Sequence, residues 1–483
     1  MTTKSSRTSC SDLSVSMPVS HECLEDKNGV YPISREQLQT KHKWKYSEWY
    51  PCCTVACGLN GLFPVYDRWR SPAIAVPEEI TPCEEIEFFD QLQNDNEETR
   101  NTMKLDDLSD DDILCIFEKI HPIEMLRSVS LVCKRWNRLS RAATLWHEVR
   151  LVICNKPAYL FAIQALLQRI CRFVEKVCIY VVNCDPVSGI DFINLFPRQM
   201  DAVTVLDIGF FHYLTVLLAR FLTRCFPNVR KLNMEGLKRA EDGALSMVFA
   251  EGFPYLQELI LFGCKPLTRE DFDALCCSHS LTVLSVDGNS ALESYSGLRL
   301  GQSSMVSTLT RLYLDGEEMY DEAFSAVTRC KNLELFSVSC CESATDLSLK
   351  YIKSLPKLKH LHLLRGTNFT EKGLINFFKR KNDTVSSSAF PTCLKYLSLD
   401  GCSGVNDIVI DFLTKSCPTL VSLCLAWCWS VTDIGLINVV QRLSKLEFLD
   451  IRGMDCTNGL ALLNVPKLYL KNLRYLGAQQ CLR

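Results

Sequence analysis

The chain has 483 residues, of which 47% are hydrophobic and 23% charged, with a formal net charge of −3. This is globular composition, and the charge excludes a general nucleic-acid binder, which needs a basic field. No run reaches the roughly 18 uninterrupted apolar residues of a membrane span, so neither nucleic acid nor membrane is an expected partner.

Residues 1–40 are polar and read as a disordered N-terminus. They lack the apolar core of a secretory signal, while the Ser/Thr-rich start with Lys4 and Arg7 leaves a transit peptide open. Residues 41–103 form an aromatic and cysteine-rich arm followed by a polar linker. Trp44, Tyr46, Trp49, Tyr50, Tyr66 and Trp69 are too dense for water, so the arm is expected to pack on a neighbouring domain. Cys52, Cys53, Cys57 and Cys83 lack paired C-x-x-C spacing, which leaves zinc as the alternative use and no metal site expected.

From residue 104 to 150 the apolar period is helical. Ser109 and Asp112 are spaced as a capping box before Ile113, Leu114, Ile116, Phe117 and Ile120, and His121-Pro122 ends that helix and starts another. Met125, Leu126 and Val129 lead into a third run with Val132, Cys133, Trp136 and Leu139. Three short helices in about 45 residues cannot bury all these groups alone, so a partner surface is implied.

From about Val174 onward a triplet spaced L-x-x-L-x-L recurs near every 26 residues, as in Leu256-x-x-Leu259-x-Leu261 and Leu420-x-x-Leu423-x-Leu425. Its second position falls at 177, 206, 232, 259, 284, 312, 336, 361, 397, 423, 449 and 476. A unit of one strand and one returning helix cannot bury its own apolar face, so neighbours must stack. Residues 151–483 are therefore expected to form an α/β leucine-rich-repeat horseshoe solenoid of about twelve repeats. The one step of 36 residues carries a polar insert, Lys379–Cys393, with hydroxyls at Ser386, Ser387 and Ser388. No capping repeat follows the twelfth strand; the arm folding back, a partner at the edge, or a shortened form would each account for that.

Many of the 26 cysteines are locked to the repeat. Cys264, Cys341, Cys402, Cys428 and Cys481 lie three residues past the third apolar position, where Asn289 takes the same slot. Cys171, Cys225, Cys277, Cys330 and Cys417 recur just before a strand. Buried free thiols suit a reducing compartment, so cytoplasm or nucleus is expected.

The helical segment resembles an F-box, through Leu108, Ile116-Phe117, Leu126, Ser130-Leu131-Val132-Cys133, Trp136 and Leu145-Trp146. That family usually has proline after its first leucine, where this chain has Ser109. The repeats resemble the cysteine-containing repeats of F-box/leucine-rich-repeat proteins, best in Cys417-Pro418-x-Leu420 through Cys428-x-x-Val431-Thr432-Asp433-x-Gly435-Leu436. The resemblance implies the substrate receptor of a Skp–cullin–F-box ubiquitin ligase. The F-box would dock on a Skp-family adaptor and through it on cullin, RING subunit and E2, and the horseshoe would hold a protein substrate for degradation by the proteasome. Adaptor contacts are expected at Leu108, Ile113, Leu114, Phe117, Leu126, Val129, Val132 and Trp136; about half of these are expected to pack inside the three-helix module instead, with Trp136 and Val132 the ones shared between both roles.

Residues between the apolar positions of each strand line the concave face. The column after the third apolar residue reads Glu235, Phe262, Asp287, Asp315, Ser339, Leu364, Asp400, Ala426 and Arg452; one slot earlier stand Tyr313, His362, Cys424 and Asp450. Asp287, Tyr313, Asp315, His362, Asp400 and Arg452 are therefore substrate-contact candidates, suited to a basic or mixed-charge segment, with plain solvation and inter-strand bonding as the alternative. Trp427 and Trp429 flank Cys428, and alternation is expected to turn one of them outward. No phosphate loop, metal-spaced His/Cys set or nucleophile elbow is visible, so a non-catalytic receptor without cofactor is expected. An F-box scaffold that binds adaptor and target without ubiquitin transfer is the alternative.

Overall fold

Thirteen parallel strands run side by side in chain order in the computed structural model. They are β1 (Glu148–Ile153), β2 (Lys176–Val181), β3 (Val205–Asp207), β4 (Lys231–Asn233), β5 (Glu258–Ile260), β6 (Val283–Ser285) and β7 (Arg311–Asp315). Then follow β8 (Leu335–Ser339), β9 (His360–Leu363), β10 (Tyr396–Ser398), β11 (Ser422–Cys424), β12 (Phe448–Asp450) and β13 (Tyr475–Gly477). The structure describes residues 107–481 except 121–123, 154–156, 182–192, 198, 290–291, 380–392, 455, 464–468 and 480. These described residues belong to one compact unit. The arm, its cysteines, Pro122 and the serines of the polar insert lie outside them.

The register is that of the sequence pattern. Val177 pairs with Leu206, Leu206 with Leu232, and so on through Leu259, Leu284, Leu312, Phe336, Leu361, Leu397, Leu423, Leu449 and Leu476. Parallel neighbours need a crossover, which the returning segments, mostly helical, supply. The paired leucines point toward those helices and are buried, except Leu476 on the edge strand β13. The strand count needs one correction. β1 precedes the twelve expected strands, pairs Val149 with Val177, and straddles the expected domain boundary at residue 150. It escaped notice because Val149, Leu151 and Ile153 alternate without the leucine triplet.

Six helices of the repeats start at a side-chain cap: Thr215, Thr268, Thr345, Thr370, Asn406 and Thr432 each accept from a first-turn amide. From the seventh repeat onward a second bond links neighbours. Asp321 accepts from the Thr345 amide at 3.0 Å and its hydroxyl at 2.6 Å. Asp346 takes Thr370 in the same way, and Asp407 takes Thr432. Asp433 extends the ladder to the amides of Asn458 and Ala461. Burial alone would raise the Asp321 carboxyl, but the bonds from Ser348 and Thr345 outweigh it and hold the group below its usual range.

In several repeats the slot three residues past the third apolar position is a backbone anchor. Cys402 donates to the carbonyl of Leu363, Cys428 to that of Leu399 and Cys481 to that of Ile451; Asn289 reaches Leu261 O at 2.8 Å. Burial raises the thiols of Cys264 and Cys402 to about 12. In the other cysteine series Cys225, Cys330 and Cys417 are buried, whereas Cys277 is exposed and its neighbour Cys276 fills the interior.

The aspartate ladder leaves no room for a Cβ at two glycines, Gly373 against Asp346 and Gly435 against Asp407. Gly435 donates its amide to Asp407, and a Cβ there would overlap that carboxylate. Gly435→Ala is expected to cost about 1–3 kcal/mol, read as a lower urea midpoint, while an alanine at the open Gly243 position, strained only by its positive φ, disturbs no neighbouring contact.

Candidate functional site: an exposed apolar ridge and the helix-free face of the sheet

Ahead of the sheet, helix α1 (Asp110–Phe117) opens with the Ser109–Asp112 capping box, so the serine that departs from the usual proline is the helix cap. A turn in π geometry, Met125–Val129, runs into Ser130–Val132, and extended Cys133 then caps helix α2 (Lys134–Leu139). Arg135 clamps the two helices: its guanidinium reaches Asp110 at 2.8 Å and the Leu108 carbonyl at 2.6 Å. That bond, with help from Arg138, holds the Asp110 carboxyl below its ordinary range. Trp136 packs edge-on to Phe117 at 5.4 Å between ring centres, and buried Trp146 donates to the Ser140 carbonyl.

This packing sorts the expected adaptor contacts. Ile113, Phe117 and Val129 are buried within the module, so their expected surface role is corrected to one of support. Leu108, Leu114, Leu126 and Trp136 are half-buried. Val132 is 60% exposed and its neighbour Leu131 73%. Leu131 and Ile116, also exposed, were overlooked as site residues although both stand in the motif. The signal was the break at Cys133: a helix that stops there leaves its last two residues outside the α1–α2 contact.

On the sheet, side chains alternate between the helices and the opposite, helix-free face. Tyr313 and His362 are on the latter but only 1% exposed, and Asp315 and Asp400 are also buried. The expectation that all such residues are presented to solvent is therefore corrected: a central strand is flanked on both sides at parallel-sheet spacing. Asp287 accepts from Ser339, two strands away, and Asp315 from the Glu317 amide at 3.1 Å. Arg452 is tied down by Asp450, with Nη2 to Oδ2 at 2.7 Å. Two ring stacks run across neighbouring strands: His360 on Tyr396 at 4.2 Å, and Phe448 on Tyr475 at 4.4 Å.

Both tryptophans reach solvent, where alternation suggested one: Trp427 is 36% exposed and Trp429 57%. The reason is backbone geometry. Trp427 adopts a left-handed conformation, φ 58°, at a strand exit where other repeats place Gly236, Gly263, Gly288, Gly401 and Gly453. Its indole lies over Gly453, as Phe210 lies over Gly236 and Arg365 over Gly401. Among the described residues no cluster of three or more His, Cys, Asp or Glu is placed to hold a metal, and no helix is long and apolar enough to cross a membrane.

Residues 110–152 match the F-box-like family. The chain thus joins an F-box-like segment to a solenoid of leucine-spaced parallel strands. It is also similar to a Caenorhabditis elegans protein whose name describes it as RNA-binding, EEED8.10, at 28% identity over 274 residues. That match covers 53% of this chain and 35% of the relative, so this chain spans about a third of that protein's length. Among solved structures, yeast Rad7 in its complex with Elc1 aligns at 16% identity and TM-score 0.42, covering 60% of this chain and 79% of that one. A Listeria monocytogenes internalin aligns at 12% and 0.36, covering 73% and 93%.

Burial gives the helix-free face opposite pH responses at two places. Desolvation lowers His360 to about 4 and His362 to about 3, and raises Glu235 to about 8. The unfolded histidines bind protons first, so their contribution is whole above about pH 6.5 and is lost as pH falls. Unfolded Glu235 ionises first, so its contribution is whole below about pH 4.5 and is lost as pH rises toward 8. Thermal melts are expected to show both: His362→Gln narrows the drop in Tm between pH 7 and pH 5, where His362 alone accounts for about 2 kcal/mol, and Glu235→Gln narrows the drop between pH 6 and pH 8. Unchanged slopes in both variants would mean that neither side chain is buried as described.

Proposed function

We propose that this chain is the substrate-recognition subunit of a Skp–cullin–F-box ubiquitin ligase. The observation that carries the reading is the exposed apolar ridge, Leu131 and Val132 with Ile116, inside the segment that matches the F-box-like family. Apolar side chains held out by a clamped helix pair suit a hydrophobic docking core on a Skp-family adaptor. Half-buried Leu108, Leu114, Leu126 and Trp136 of the same module would add to that contact, and the adaptor would bring cullin, RING subunit and E2.

The repeats supply the second contact. Their helix-free face, with Asp287, Asp315 and Asp400 along one column and the Trp427–Trp429 edge beside it, is where the protein substrate would be held for ubiquitylation and degradation. The chain contributes binding and proximity, and its partners perform the transfer. All eighteen described cysteines are free, which supports a reducing compartment, cytoplasm or nucleus. RNA binding is not carried over from the C. elegans relative, because a column of carboxylates repels phosphate.

Phe117 is a poor choice for testing the ridge, since an aspartate there would be buried and would unfold the module. Leu131→Asp with Val132→Asp is expected to weaken adaptor affinity by about 2 kcal/mol or more, roughly 30-fold, with an unchanged melting curve. Affinity purification after brief proteasome inhibition completes the test. Wild type should recover adaptor, cullin and ubiquitylated targets, and the double variant the same targets unmodified. Recovery of adaptor and target without any dependence of target half-life on cullin activity favours the scaffold alternative.

A further inference from the structure

A row of paired residues crosses the helix-free face near the starts of the strands. Its charges come as neighbouring pairs: Lys176 reaches Glu148 at 3.1 Å, and Lys231 reaches Glu258 at 2.9 Å. Arg311 on β7 is the exception. Leu312 is buried toward the helices, so alternation sends Arg311 and Tyr313 to the opposite side. Register sets Val283 on one flank of Arg311 and Leu335 on the other, both buried and neither able to balance a charge. The carboxylates on the strands around it are engaged elsewhere, Glu258 with Lys231 and Glu334 with Lys359 at 3.0 Å. Asp315 stands four residues along the same strand, about 13 Å away, and accepts from the Glu317 amide.

The guanidinium itself is open to an incoming group. Arg311 is half-buried, its side chain makes no hydrogen bond or ion pair among the described residues, and none of its nitrogens is sealed from water. Its charge acts on its surroundings. Burial raises the Tyr313 phenol and lowers His360 to about 4. The positive Arg311 is the next cause in each, working against burial in the phenol and with it in the imidazole. His360 is therefore neutral near pH 7 and adds no second cation. A guanidinium presents two parallel donors to one carboxylate, and such a pair beside buried aliphatic side chains is screened less than one in open solvent.

We propose that Arg311 is a subsite for one aspartate or glutamate side chain of a bound protein segment. A carboxylate supplies the single counter-charge that the row lacks at this point and matches the fork of the guanidinium. A phosphate monoester is disfavoured, because its second negative charge meets no second unpaired cation: Lys359 is held by Glu334. The inference rests on the substrate-binding half of the proposed function and is independent of the adaptor half.

The probe is a random dodecapeptide library displayed on phage, selected on the full chain as wild type and as Arg311→Gln. Peptides recovered on the wild type are expected to share an aspartate or glutamate that the Arg311→Gln selection lacks. The strongest is then made as a fluorescein-labelled peptide, together with a counterpart whose acidic residue is replaced by its amide. In fluorescence anisotropy Arg311→Gln should weaken the acidic peptide about tenfold or more. Arg311→Lys, which keeps stem and charge but loses the fork, should weaken it severalfold, and it decides the matter if the glutamine variant melts lower than wild type. The amide peptide should bind wild type and Arg311→Gln alike, at the weaker level. Lys445→Gln removes an exposed charge outside the row and should change nothing. Recovery of no peptide, peptides without a shared acidic residue, a Lys445→Gln loss as large as that of Arg311→Gln, or an amide peptide that still distinguishes the two chains overturns the proposal. A phosphoserine peptide that binds about tenfold tighter than the acidic one also overturns it, by making the subsite one for phosphate. Adaptor affinity measured on the same samples separates this failure from failure of the ligase reading, since Arg311→Gln should leave it unchanged.

Discussion

Register between parallel strands is the constraint on which the rest of the structure depends. The second apolar residue of every repeat pairs with its counterpart in the next, from Val149 in β1 to Leu476 in β13. A slip of one residue would turn every buried leucine to the helix-free face and every carboxylate inward. Nothing smaller than the whole array resists that slip, because each unit has too little core of its own. The thiol and Asn289 anchors at the strand exits act on the same variable: a side chain that donates to the preceding strand's carbonyl fixes where the next turn begins.

That constraint produces both candidate surfaces. Once the leucines are committed to the helices, alternation leaves polar and aromatic residues on the opposite face, where neighbouring strands bury several of them. Tyr313, His362 and Glu235 are consequences of geometry before they are features of binding. The ridge at Leu131 and Val132 has a different origin. The three-helix module spends Ile113, Phe117 and Val129 on its own interior and has no room left for the two residues before Cys133. One surface is set by a period of two, the other by a helix that ends early.

The period of the repeats was legible because it is written twelve times, and every paired position falls where the leucine spacing places it. β1 was not, because one strand of alternating Val149, Leu151 and Ile153 has no copy to be compared with. The Ser109 cap and the anchoring cysteines were legible from local chemistry alone. Exposure was the weak point. Sequence spacing assigns a face but not a depth, so Tyr313 and His362 were placed on the right side with the wrong accessibility. Trp427 escaped because its left-handed backbone breaks the alternation on which the expectation relied.

The aspartate ladder gives the array a polarity. Each of Asp321, Asp346, Asp407 and Asp433 stands in the first turn of its own helix and reaches forward to the start of the next. Removing a repeat from the far end strands only a carboxylate, which remains comfortable at the positive end of its own helix. Removing one from the near end strips acceptors from the amides of the helix that follows. Where the ladder runs, from Asp321 to Asp433, the two directions are therefore unequal: loss on the C-terminal side leaves a carboxylate without its donors, and loss on the N-terminal side leaves the next helix start with only its own cap.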